Sequence, residues 1–191
     1  MIELTRDQEL ALTRADGGPL GKLKMGLGWD KKAGAGFLST GVKDVDLDAS
    51  AVQFSGGKLF DLAFFNHLET RDGAVVHLGD NLTGRGEGDD EVITVDLGKV
   101  WHSVDAMLFL VSSYQGHTLE WIDSAYVRLV DVAGDEEREL ARFTLTGGVH
   151  TTGMVMATMV RDGDQWRLRA VGQGIDAKIP TESVDALRAF V

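Results

Sequence analysis

Apolar residues along this chain recur at every second position or in short unbroken runs, and glycine or aspartate interrupts almost every run. KLKMGLGW (22–29) alternates and stops at Asp30, while VDLDASAVQF (45–54) alternates acid with apolar before turning wholly apolar. LFDLAFFNHL (59–68), AVVHL (74–78) and EVITVDL (91–97) each end at a turn signal. VDAMLFLVSSY (104–114), SAYVRLVDV (124–132), ELARFTL (139–145), GMVMATMV (153–160) and QWRLRAVG (165–172) complete the series. These are strand lengths, enriched in Val, Leu, Phe and Thr. SGGK at 55–58 and the Asp-Gly within RDGDQW at 161–166 read as hairpin turns. Strands spaced about ten residues apart with turn residues between them predict an all-β chain, a sandwich or a barrel. A single short C-terminal helix is expected at TESVDALRAF (181–190). There Thr181 stands as N-cap after Pro180, Glu182 and Asp185 lie near the positive end, and Val184, Leu187 and Phe190 form the buried stripe. Neither a helical repeat nor a domain boundary interrupts the pattern, so residues 1–191 read as one domain.

Composition narrows the class. Hydrophobic content of 43% with 26% charged residues is that of a soluble globular domain. The N-terminus, MIELTRDQELALTRADGG, carries charge throughout and does not read as a signal peptide. The longest apolar run, AMLFLV at 106–111, is strand-sized and far short of a membrane span. The chain has no cysteine, which removes disulfides, thiolate metal sites and cysteine nucleophiles together and fits a reducing, cytoplasmic setting. A net charge of −11 argues against nucleic acid as a partner, because phosphate binding needs a basic surface.

The acid is unevenly placed. In GDNLTGRGEGDDEV (79–92), Asp80, Glu87, Asp89, Asp90 and Glu91 face a single Arg85, five acids against one base for a net −4. Glycines at 79, 84, 86 and 88 give this loop the backbone freedom to turn carbonyls inward. Calcium takes roughly six to eight oxygens from carboxylates, amides and carbonyls, and loops of this composition supply them. An EF-hand is excluded, since from Asp80 the third, fifth and sixth positions are Leu82, Gly84 and Arg85. In KDVDLDAS (43–50), Asp44, Asp46 and Asp48 fall on one strand face, a repulsive row that a shared divalent ion would relieve. Asp30 is a third source of oxygen. The alternative is a solvated acidic edge that discourages strand-to-strand aggregation.

Other chemistries find less support. His67, His77, His102, His117 and His150 are scattered without metal-ligand spacing and read as surface or packing residues. There is no G-x-S-x-G elbow, Walker A or H-E-x-x-H motif. GLGWDKKAGAG lacks the strand-to-helix setting of a dinucleotide site. A carboxylate pair could serve a glycosidase, but aromatics are only 7% and the tryptophans at 29, 101, 121 and 166 read as core anchors. A magnesium-dependent hydrolase or phosphoryl-transfer enzyme stays open as an alternative. So does an interaction module whose acids are merely solvated.

KMGLGWD, VDLDASA, FFNHLE, GDNLTGRGEGDDEVITVDL, SAYVRLVD, ELARFTL and RLRAVGQG, in this order, resemble the TerD family of tellurium-resistance and stress-response proteins. The resemblance runs from about Leu23 to Gly174. It implies a two-sheet β-sandwich, cytoplasmic and non-enzymatic, that binds a pair of calcium ions and acts beside other Ter-type stress proteins as sensor, buffer or scaffold. Carried over residue by residue, the implied ligands are Asp46, Asp48, Asp80, Asn81, Asp89, Asp90 and Glu91, with Asp30 and Glu87, and with backbone oxygens of Thr83, Gly84 and Gly86. The chain departs from the family pattern in KKAGAGFLSTGVKDV, in HTLEWIDSAYV, at ATMV, and in IDAKIPTESVDALRAF after VGQG. None of these departures falls within the 79–91 loop. Without cysteine, this chain has no thiol with which to reduce or ligate tellurium.

Overall fold

A computed structural model describes residues 1–14, 16–31, 47–79, 88–134, 136–146 and 148–191. The described strands are β1 (Ile2–Leu4), β2 (Glu9–Ala11), β3 (Lys22–Lys31), β4 (Asp48–Ser55), β5 (Lys58–Ala63), β6 (Val75–His77), β7 (Glu91–Asp96), β8 (Ala106–Ser112), β9 (Ile122–Asp131), β10 (Arg138–Thr146), β11 (Gly153–Asp162) and β12 (Gln165–Ile175). They form two six-stranded sheets, β1-β10-β9-β3-β7-β6 and β2-β12-β11-β8-β4-β5. Every pairing is antiparallel except β1 with β10. The protein is therefore a β-sandwich, the first of the two architectures its pattern allows.

Alternation places the core. Leu23, Met25, Leu27 and Trp29 of β3 and Ile93 and Val95 of β7 point between the sheets, where Val127, Leu129, Phe109, Met107, Met156 and Leu168 meet them. The intervening β3 positions, Lys22, Lys24, Gly26 and Gly28, face outward. β8 does not alternate: all seven of its residues are buried. A strand apolar on both faces needs two covers. The second is the chain's own C-terminal segment, where Ile175, Ala177, Leu187 and Phe190 pack on Val52, Phe54, Leu108, Leu110 and Val155 from the outer side of that sheet.

The hairpins fall where the turn residues put them. Gly56 and Gly57 both take positive φ (55° and 69°), as a two-residue turn between Ser55 and Lys58 requires, and Gly163 (φ 61°) turns β11 into β12. The C-terminal helix is shorter than its periodicity suggests. Only Val184–Leu187 (α1) is α-helical, flanked by 3-10 turns at Pro180–Glu182 and Arg188–Phe190, and the residue before the helix is Ser183 rather than Thr181. One turn suffices to bury Leu187 and Phe190, and so short a helix has little stability of its own beyond that packing. β1 and β2, three residues each, are too short for a period to single them out. They form because β10 and β12 offer open edges, and Asp7, at φ 64°, lies on the link that passes the chain from one sheet to the other. Trp29 and Trp166 anchor the core as expected, whereas Trp101 and Trp121 are exposed. Among the described residues, no helix is long and apolar enough to cross a membrane.

Candidate functional site

One end of the sandwich gathers the C-terminal end of β3 and the N-terminal ends of β4 and β7, because Leu27 pairs with Glu91 and Asp48 with Ser112 at the end of β8. The acidic block of residues 88–91 sits here, and alternation along it sends successive carboxylates to different places.

Glu91 points inward. Its side chain and that of His77 are fully buried. The Ala49 N–H donates to Glu91 Oε2 at 2.5 Å, so β7 of one sheet is clasped to β4 of the other. His77 Nδ1 accepts from the Gly79 N–H at 3.1 Å. The ring proton therefore resides on Nε2, which donates to Glu91 Oε2 at 3.2 Å. His77 is thus a buried packing residue with a defined tautomer, while His150 lies on the surface against Glu120. Asp90 stays at the strand end: its N–H donates to Leu27 O (2.9 Å) and its Oδ2 accepts from the Trp29 N–H (2.8 Å). Asp48, almost buried, accepts from the Tyr114 N–H at 3.4 Å. Asp48, the first residue of β4, and Asp90, just before β7, are the sequence neighbours of the clasped pair Ala49 and Glu91, so they flank the clasp.

Asp89 turns the other way, onto the outer face of the β3 sheet. There Arg128 grips it with both ends of the guanidinium, Nε to Oδ1 at 2.6 Å and Nη2 to Oδ2 at 2.8 Å. The Tyr126 hydroxyl lies 2.7 Å from Gly88 O and 3.2 Å from Asp89 Oδ1. Two glycines make room. A Cβ on Gly26 would stand 2.1 Å from Asp89 Oδ2, and one on Gly28 would stand 2.5 Å from the Tyr126 ring. Beyond Arg128 the network continues through Glu139 (3.2 Å) to Arg142, which bonds Glu139 at 2.9 and 3.1 Å and stacks 4.5 Å over the Tyr126 ring. Hydrogen bonds from Arg142, reinforced by those from Arg128, hold the Glu139 carboxyl below its ordinary range. Its hydrogen bonds to Asp89 push the Arg128 guanidinium further up. Burial, then the Asp89 charge, pushes the Tyr126 hydroxyl up to about 12. Asp30 accepts from the Ser124 hydroxyl at 2.8 Å and stands apart, exposed on the same outer face.

Of the expected ligands, Asp46, Asp80, Asn81, Thr83, Gly84, Gly86 and Glu87 lie outside the described residues. Among the described residues, no three acidic or histidine side chains converge on a point that could hold a metal. What is described nevertheless suits a hard cation in kind. The donors at this end are carboxylate oxygens, and Asp48 and Asp90 are each oriented by a backbone amide. The partners Arg128, Tyr126 and Glu139 are absent from the sequence-derived set. Their signal is the alternation in SAYVRL, which puts Tyr126 and Arg128 on one face, together with glycines inside a strand, a mark of close approach by another group.

Fold and site define an all-β sandwich protein with an acidic, oxygen-donor end bound into both sheets. The chain belongs to the TerD family: the family model described as TerD domain matches residues 1–181. It is similar to tellurium resistance protein TerZ of Serratia marcescens, 40% identical over 176 residues that cover 90% of this chain and 89% of TerZ. It is also similar to stress response protein SCP2 of Bacillus subtilis (strain 168), 38% identical over 186 residues, 91% of this chain and 92% of that protein. These relatives are named as resistance and stress-response proteins, not as enzymes. The fold matches a crystal structure of a homologue of telluride resistance protein (TerD) from Streptomyces coelicolor A3(2), with a TM-score of 0.66 at 20% identity over 86% of this chain and 95% of that one.

Proposed function

We propose that this protein is a calcium-binding stress-response module, non-catalytic and cytoplasmic, that works as an ion-dependent sensor, buffer or scaffold for other Ter-type proteins. The observation that carries the proposal is the clasp between Glu91 and Ala49 with Asp48 and Asp90 flanking it. It brings together strand ends from both sheets, each beginning in acid, and the sequence that leads into β7 holds further oxygen donors in Asp80, Asn81 and Glu87. Together with Asp46 and the carbonyls of Thr83, Gly84 and Gly86, these are the residues that would hold the ions. Bound calcium would supply positive charge that neutralises the crowded acids and ties the loop to both sheets. The residues of this chain do the rest: Trp29 and Tyr114 orient two carboxylates, and Glu91 joins the sheets beneath them. Asp89, held by Arg128, serves to fix the backbone just before Asp90.

Calorimetric titration of calcium into chelator-treated protein tests this directly, with stoichiometry giving the number of ions. A ligand that binds only the folded state raises stability by about 2.7 kcal/mol at a free concentration of about 100 Kd. For a domain of this size that is roughly 5–11 °C in thermal midpoint. No heat of binding, and no change in midpoint between about 1 mM calcium and excess chelator, would end the calcium reading. Magnesium in place of calcium should give a weaker response, because it demands a tighter octahedral shell and keeps its waters.

A further inference from the structure

We infer that Arg128 and Tyr126 are positioning residues that latch residues 88 and 89 to the outer face of the β3 sheet and preset Asp90 for its ion. The proposal rests on the calcium reading for its ligand, but its geometry stands independently.

The latch has three parts, each contributed by a different strand. β3 contributes space, since Gly26 and Gly28 leave a trough that any side chain would fill. β9 contributes the grip: Arg128 takes both oxygens of Asp89, and the Tyr126 hydroxyl bonds Gly88 O, so a side chain and the adjoining backbone are held at once. β10 contributes the brace, because Glu139 and Arg142 fix the far side of the guanidinium and of the ring. Asp89 is nearly buried under this arrangement, with a side-chain exposure of 5%. The next residue, Asp90, donates its N–H to Leu27 O and accepts from Trp29. A chain pinned at 88 and 89 can offer the Asp90 carboxylate in only a narrow range of directions. Fixing that direction before an ion arrives removes ordering that binding would otherwise have to supply. The Tyr126 hydroxyl is engaged by Gly88 O and the Arg128 guanidinium by Asp89, so both act through residues 88 and 89.

The test compares Arg128→Gln and Tyr126→Phe with Arg167→Gln, which breaks a surface pair with Glu9 far from the latch. Two readouts are taken: calcium affinity by calorimetry, and amide exchange of Asp90 and Glu91 in chelator. Arg128→Gln is expected to weaken calcium about 10- to 100-fold, in the range for residues that orient ligands from behind. Tyr126→Phe should weaken it roughly 3- to 10-fold, the share of one hydrogen bond. Stoichiometry stays unchanged and exchange at 90 and 91 accelerates in both variants, whereas Arg167→Gln leaves affinity, stoichiometry and exchange as in the parent. Affinity unchanged in both variants overturns the inference, as does unchanged exchange. Should the parent protein take up no calcium, the proposed calcium binding fails, and exchange alone decides whether the latch exists.

Discussion

Replacing Glu91 with alanine should be the most damaging single change at the acidic end, even with no ion present. The side chain has no exposure and its Oε2 accepts from two buried donors, the Ala49 N–H and His77 Nε2–H. Truncation orphans both donors, each at a cost of about 1–3 kcal/mol, and withdraws packing between the sheets. Against this, a buried carboxylate is expensive to desolvate, and its removal returns part of the sum. Two orphaned donors and the lost packing, less that return, net about 3–5 kcal/mol. At roughly 2–4 °C per kcal/mol for a chain of this size, the midpoint should fall by about 6–20 °C. Scanning calorimetry in chelator isolates this from ion binding. Glu91→Gln is the necessary companion: its amide oxygen can still accept from Ala49, so its loss should be well under half that of alanine. A Glu91→Ala protein melting within about 2 °C of the parent, or a Glu91→Gln protein that melts as low as the alanine variant, would refute the clasp as a cross-sheet tie.

Three other outcomes follow from the same structure. Gly26→Ala places a methyl 2.1 Å from Asp89 Oδ2, which must then leave Arg128; overpacking of this kind should destabilise by about 1–3 kcal/mol in urea titration and quicken exchange at Asp90. Leu187→Ala, at a fully buried position in the C-terminal cover, should cost about 2–5 kcal/mol by chemical denaturation, and a surface-like loss under 0.5 kcal/mol would show that the segment does not seal the sheet. Glu139 has a carboxyl lowered from 4.5 by its arginine partners, so its stabilisation is complete above that value and fades as pH falls through the lower folded value. Glu139→Gln should therefore be less stable than the parent at neutral pH, with the gap closing under acid; a gap that persists in strong acid would exclude the ion pairs as its source.

The local pattern of this chain determined most of the strands and both glycine turns, since alternation and positive-φ demand act over a few residues. It also located the acidic end and, through GDN-x-TG-x-G-x-GDDE and its neighbouring blocks, the TerD family. It could not show that β8 is covered twice, because the cover comes from a segment some 75 residues on, whose helix is a single turn held in place by packing. Nor could it separate the three consecutive acids of residues 89–91. In sequence they are equivalent oxygen donors. In the folded protein Asp89 meets an arginine from β9, Asp90 an amide from β3, and Glu91 an amide from the opposite sheet. Which partner each finds depends on strand order and on two absent side chains at Gly26 and Gly28, and strand order is set by burial across the whole sandwich rather than by any neighbouring residue.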